Sequence, residues 1–158
     1  MKVIVITMSD RASRGEYADR SGPRAEELLK GRFPEADVSR LVVSDEPRAI
    51  RSALRSAYAS KPDFIVTSGG TGIGPRDNTP EVTRRFCDRE LSGVAEVIRS
   101  AGLKETPMAA LSRGYCGMRG STIVINLPGS VNGVETGIVA VAPLLEHAIR
   151  MMKGHGHE

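Results

Sequence analysis

Residues 62–81 constrain the fold more than any other stretch of this chain. Phe64-Ile65-Val66 is a short apolar run rich in β-branched residues, the pattern of a buried strand. Thr67-Ser68 carry it into Gly69-Gly70-Thr71-Gly72-Ile73-Gly74-Pro75-Arg76-Asp77, after which Asn78-Thr79-Pro80-Glu81 reads as a helix start. Asn78 or Thr79 fits the cap, Pro80 the first turn, and Glu81 the positive end of the helix dipole. A strand thus feeds a glycine loop, and the loop feeds a helix. Four glycines within six positions let the backbone take positive φ and approach a ligand with no Cβ in the way. Exposed N–H groups in such a loop, backed by helix amides, form an anion site suited to phosphate. The glycines alone fit a tight strand-to-helix turn equally well.

Two nucleotide fingerprints are excluded. No Lys-Ser/Thr pair follows the glycines, so the loop is not a P-loop. Asp77 falls where a dinucleotide fold needs its third glycine. Asp77 itself tilts the reading toward chemistry. A carboxylate beside a phosphate cradle repels the ligand unless a cation lies between them, and Mg²⁺ bridging carboxylate and phosphate oxygens resolves the conflict. The plainer role for Asp77 is a helix cap.

The same alternation recurs along the chain. Val3–Ile6 is a continuous apolar run, read as a strand buried on both faces and ending in the polar loop 7–15, with Arg11 and Arg14. Those arginines face either a phosphate or plain solvent. Ser21-Gly22-Pro23 opens a helix closed by Gly31, and Val38–Val43 is a strand placed near an edge by polar Ser39 and Arg40. Asp45 precedes a helix with Ile50, Ala53, Leu54, Ala57 and Tyr58 on one face, and the pattern favours it as the N-cap. Residues 82–87 continue the helix after the glycine loop, 91–101 form an amphipathic segment, and 107–111 a short helix. Thr122–Ile125 is another buried strand, followed by the turn-rich Asn126-Leu127-Pro128-Gly129-Ser130. The last helix carries Ile138, Val141, Ala142, Leu145, Ile149 and Met152 on one face, and Pro143 should kink or split it.

Strands alternating with helices give an α/β fold, a three-layer αβα sandwich with a mainly parallel sheet. The loops that follow its strands can meet at one edge as a single pocket. One domain over residues 1–153 is expected, with 154–158 a flexible tail.

Composition narrows the function. The 158 residues include no Trp and only 4% aromatics, which argues against a base-stacking nucleic-acid platform. The net charge of +3 is mild and its carriers scattered, so a small polyanion explains them better than DNA. Cys87 and Cys116 belong to no metal or redox motif and suit a reducing cytosol as core thiols. No stretch approaches a membrane span, and a cytoplasmic protein is expected.

Several motifs occur in one order: Ser9-Asp10-Arg11-Ala12-Ser13, Asp45, Gly69-Gly70-Thr71-Gly72 with Arg76-Asp77 and Thr79-Pro80-Glu81, Asp88-Arg89-Glu90, Leu111-Ser112-Arg113, and Asn126-Leu127-Pro128-Gly129. Together they resemble the MoaB/Mog family of molybdopterin adenylyltransferases, relatives of the gephyrin G domain, over nearly the whole chain. The resemblance implies transfer of AMP from ATP to molybdopterin with release of pyrophosphate, in the presence of Mg²⁺. It implies a homotrimer, with some members hexameric, and a molybdenum insertase as a possible partner. By position, Asp45 and Asp77 match the essential acidic pair, assigned to the metal and to transition-state geometry. Gly69, Gly70, Thr71 and Gly72 match the phosphate loop. Ser9, Ser112, Asn126, Pro128, Gly129 and Ser130 match segments lining the pterin and nucleotide pocket. CinA-type amidohydrolases resemble the same domain but usually carry an appended deamidase domain. The non-catalytic alternative is a molybdopterin carrier or oligomeric scaffold.

Overall fold

The computed structural model describes residues 1–152 and 154. Apart from Gly154, the expected tail, with His155 and His157, lies outside the described residues. Strand β1 (Lys2–Met8) is followed by a single helical turn, α1 (Asp10–Ser13), then α2 (Ser21–Arg32) and β2 (Asp37–Val43). Next come α3 (Pro47–Ala59), β3 (Phe64–Ser68), α4 (Thr79–Phe86) and the two-residue β4 (Arg89–Glu90). Helix α5 (Ser92–Glu105), a 3-10 turn (Pro107–Leu111), β5 (Cys116–Arg119), β6 (Thr122–Leu127) and α6 (Val131–Met152) complete the chain.

The six strands form one sheet in the order β2-β1-β3-β6-β5-β4. β2, β1, β3 and β6 run parallel, while β5 pairs antiparallel with β6 and β4 antiparallel with β5. Period-two alternation in the three central strands divides the core between the two faces. Val3, Val5, Phe64, Val66, Ile123 and Ile125 point to one side, where Leu29 of α2, Ile98 of α5 and Val134, Ile138 and Val141 of α6 meet them. Ile4, Ile6, Ile65 and Val124 point to the other, under Ile50 and Leu54 of α3 and Val82 and Phe86 of α4. Both faces are covered, so the central strands read as unbroken apolar runs. β2, covered less completely, is indeed at the edge.

Several local expectations change. Pro143 does not split α6, which runs as one helix from Val131 to Met152. The proline is exposed, and so is Val139, whose carbonyl loses its helical partner and can turn to water. Gly31 lies inside α2, which ends at Arg32. Strands β4 and β5 have no clear sequence pattern; β5 pairs with β6 through a tight turn at Gly120-Ser121, with Gly120 at φ +53°. Charge is also less scattered than its spacing suggests, since Arg48, Arg51 and Arg55 recur at helical spacing on the exposed side of α3.

Cys116 is fully buried and Cys87 half-buried, both as free thiols. Burial pushes each up to about 12, so neither is a thiolate near neutral pH. Among the described residues no helix is long and apolar enough to cross a membrane.

Candidate active site

The chain leaves β1 through α2 to reach β2 on one side, then returns through α3 to β3 on the other side of β1. Connections leave β1 and its neighbour in opposite directions, and that reversal opens a crevice at the carboxyl ends of the strands. The loops after β1, β2, β3 and β6 all reach this edge.

Gly69 is the pivot of the crevice. It sits at φ +100° with its N–H donated to the Leu127 carbonyl at 3.1 Å. A Cβ there would overlap the Met8 carbonyl oxygen at the end of β1, and Gly129 lies close against the Gly69 backbone. Glycine at 69 is therefore required by both dihedral and space. Gly70, at φ +64°, brings its Cα against Thr79 and the Asp45 carboxylate.

Two cavities open on either side of this loop. The first, of about 510 Å³, is walled by Asp45 and Asp77 with Ser9, Gly69, Gly70 and Gly129. Arg20 and Arg76 also line it. The second, of about 410 Å³, is lined by Thr71, Gly72, Ser112 and Pro128, with Ile98 and Met108 adding apolar surface. Ser130 borders both. The single pocket expected from the strand ends is thus divided, with the glycine loop and the Gly129-Ser130 turn between the halves.

Neither acid is a helix cap. Asp45 Oδ2 accepts the Asp10 N–H at 2.8 Å, and Asp10 Oδ1 accepts the Asp45 N–H at 3.0 Å. This reciprocal clasp ties the loop after β1 to the loop after β2. α3 starts after Glu46 with no side-chain cap. Asp77 Oδ2 accepts the Gly74 N–H at 2.7 Å and so closes its own loop, while Asn78 precedes α4 without capping it through its side chain. Burial pushes the Asp45 carboxyl above its ordinary range, opposed by the Asp10 N–H. For Asp10 the Asp45 N–H dominates and lowers its pKa, with Arg76 acting in the same direction.

Arg11 and Arg14 take the second of the two roles open to them, in an exposed loop. Arg11 lies over the Tyr17 ring at 5.0 Å, and Arg14 pairs with Glu16. The arginine that reaches the acids is Arg76, bonded to Asp10 at 2.8 Å and to Glu46 at 2.5 Å. Arg113 straps the glycine loop, donating to the carbonyls of Gly72 and Asp77 at 2.7 Å each and pairing with Glu81. Asp10 and Arg113 flank motifs visible in the sequence, but nothing in their spacing marks a clasp or a strap. Each partner lies more than 30 residues away.

Three expected ligand residues have structural work to do. Ser9 Oγ caps α1, accepting from Ala12 at 3.1 Å, and Ser130 Oγ accepts from Gly133 at 3.0 Å in the first turn of α6. Asn126 is corrected outright. It is 1% exposed, in the wall of neither cavity. Its amide donates to Thr67 at 2.9 Å and Thr83 at 3.0 Å, and its carbonyl accepts from Tyr115 at 3.2 Å. It pins β6 to β3, α4 and β5, and so holds the loop that lines the cavities.

The residues present suit a divalent cation that arrives with a phosphate ligand. Among the described residues no group of three or more His, Cys, Asp and Glu could hold an ion alone. Asp45 and Asp77 supply one or two carboxylates, the usual protein share for Mg²⁺ when phosphates complete the shell.

The chain is similar to known proteins in sequence and fold. Residues 4–147 match the model of a family described as the probable molybdopterin binding domain. A molybdopterin adenylyltransferase of Helicobacter pylori (strain J99) is 35% identical over 96% of this chain and 87% of its own length. A molybdenum cofactor biosynthesis bifunctional protein of Synechococcus elongatus is 39% identical over 97% of this chain, which spans about half of it, 48%. The crystal structure of the molybdopterin biosynthesis enzyme MoaB from Thermus thermophilus superposes with a TM-score of 0.85 at 46% identity, over 97% of this chain and 96% of its own.

Proposed function

The chain belongs to the probable molybdopterin binding domain family, and from that premise we propose that it is a molybdopterin adenylyltransferase of molybdenum cofactor biosynthesis. The observation that carries this reading is the pair of cavities parted by one glycine loop, with both acids on one side. A ligase of two polyanions needs two sites that meet. The cavity with Asp45, Asp77, Arg20 and Arg76 takes the triphosphate of ATP, and the more apolar one takes the pterin. Their shared border at Ser130 is where the terminal phosphate of molybdopterin meets the α-phosphorus.

In the transfer, an oxygen of that terminal phosphate forms a bond to the α-phosphorus of ATP. The bond from that phosphorus to the bridging β-oxygen breaks, and pyrophosphate leaves with its electron pair. A phosphate monoester has its second pKa near 6, so the nucleophile is ionised without a general base. His147 lies on α6 outside the lining of either cavity. The protein's task is to place two anions in line and screen their charge. Backbone amides of Gly70–Gly72 cradle phosphate oxygens, while Arg76 and the Asp10–Asp45 clasp fix the loops that carry them. Mg²⁺, held by Asp45 and Asp77 together with phosphate, supplies electrostatic stabilisation when bound.

Incubation with molybdopterin, ATP and Mg²⁺ should release pyrophosphate, and chelation of Mg²⁺ should stop release and weaken ATP binding. Molybdopterin binding with no pyrophosphate would replace the enzyme by the carrier or scaffold reading. The assembly we propose is the homotrimer implied by the family resemblance, and exposed Val97, Leu103, Met108 and Val139 leave apolar surface for it. Light scattering at micromolar concentration should give three chain masses; a monomer mass would overturn it.

A further inference from the structure

Thr79 is wholly buried at the first position of α4. Among the described residues its Oγ1 is the buried side-chain polar atom with no hydrogen-bond partner. Its surroundings are fixed, because the Thr79 N–H donates to the Gly70 carbonyl at 3.1 Å. A Cβ built on Gly70 would overlap Thr79 Oγ1 and come 3.4 Å from Asp45 Oδ1. The missing side chain at 70 therefore leaves a gap with the hydroxyl on one side and the carboxylate on the other. Asp45 Oδ2 is occupied by the Asp10 N–H, while no donor reaches Oδ1 among the described residues.

A buried hydroxyl with no partner is worse than the methyl group of valine in the same volume. A use for this hydroxyl is therefore to be sought in the carboxylate across the gap. We propose that Thr79 is a positioning residue for Asp45, its hydroxyl donating to Oδ1 across the bare face of Gly70 once a nucleotide and its cation occupy the first cavity. Held by Asp10 on one oxygen and Thr79 on the other, the carboxylate has its plane fixed, and its remaining lone pairs face the ligand. This role rests on the adenylyltransferase reading, since it assumes that the first cavity receives MgATP.

The test uses the full chain, with thermal melting of the free protein and calorimetric titration by MgATP. Thr79→Val should melt no lower than wild type, because it removes an unsatisfied group at constant volume. It should bind MgATP on the order of 10-fold more weakly, the loss of one hydrogen bond to a charged group. Thr79→Ser, which restores the hydroxyl without the methyl, should recover most of that affinity. A Thr79→Val protein that melts lower yet binds normally would make the hydroxyl a structural group and overturn the proposal. Unchanged melting with unchanged binding would overturn it as well, as would a Thr79→Ser protein no better than Thr79→Val. A wild-type chain that binds no MgATP would overturn the adenylyltransferase reading itself, and this role with it.

Discussion

The Asp77→Asn variant is expected to fold with stability within about 0.5 kcal/mol of wild type and, on the adenylyltransferase reading, to release pyrophosphate at least about 100-fold more slowly. The structural half of this expectation rests on the hydrogen bond that the Asp77 side chain makes, from the Gly74 N–H to Oδ2 at 2.7 Å. An asparagine carbonyl can accept the same bond, and no helix cap is lost because Asp77 is not one. The kinetic half rests on charge. A neutral amide binds Mg²⁺ far less well than a carboxylate, so the phosphates would be screened poorly at the point of transfer. Molybdopterin affinity should survive, since Ser112 and Pro128 line the cavity on the other side of the loop. Chemical denaturation, pyrophosphate release and pterin binding measured on one preparation separate these effects. A folded variant with unchanged turnover would reduce Asp77 to a loop-closing residue and leave the carrier reading standing.

Gly69→Ala should be the most damaging single methyl that can be added to the site, at about 2–4 kcal/mol. Alanine at φ +100° is strained, and its Cβ would overlap a backbone oxygen of β1. That oxygen cannot rotate away as a side chain could. Gly129 also lies close against the Gly69 backbone. Gly15 provides the control, with φ +72° but nothing within 4 Å of a built Cβ. Gly15→Ala should therefore cost only the dihedral strain, about 1 kcal/mol. Equal losses in urea denaturation for the two variants would show that the Met8 contact is not a constraint.

Legibility followed the range of the forces involved. The apolar runs 3–6, 64–66 and 122–125 all became central strands, because burial on both faces demands unbroken apolar residues. β4 and β5 escaped, since two and four residues with a glycine among them carry no period to read. Asp45 looked like an N-cap because local pattern offers an acid before a helix no other partner. Its actual partner is Asp10, 35 residues earlier. Asn126 is expected in the pocket because its segment matches a pocket-lining segment of the family that the chain resembles. Its two threonine partners lie 59 and 43 residues away, and only their convergence turns it inward.

The sequence by itself determined the strand–loop–helix grammar, the covered parallel sheet and the glycines at its edge. These depend on hydrophobic period and on backbone freedom, which are properties of neighbouring residues. Only the tertiary structure decided that the edge holds two cavities instead of one, that Asp10 clasps Asp45, and that Arg113 straps the glycine loop. It alone set the Thr79 hydroxyl, unpartnered, behind Gly70. Each of these is a meeting of segments distant in the chain, fixed by the strand order that brings their ends to one edge, and no local preference encodes it.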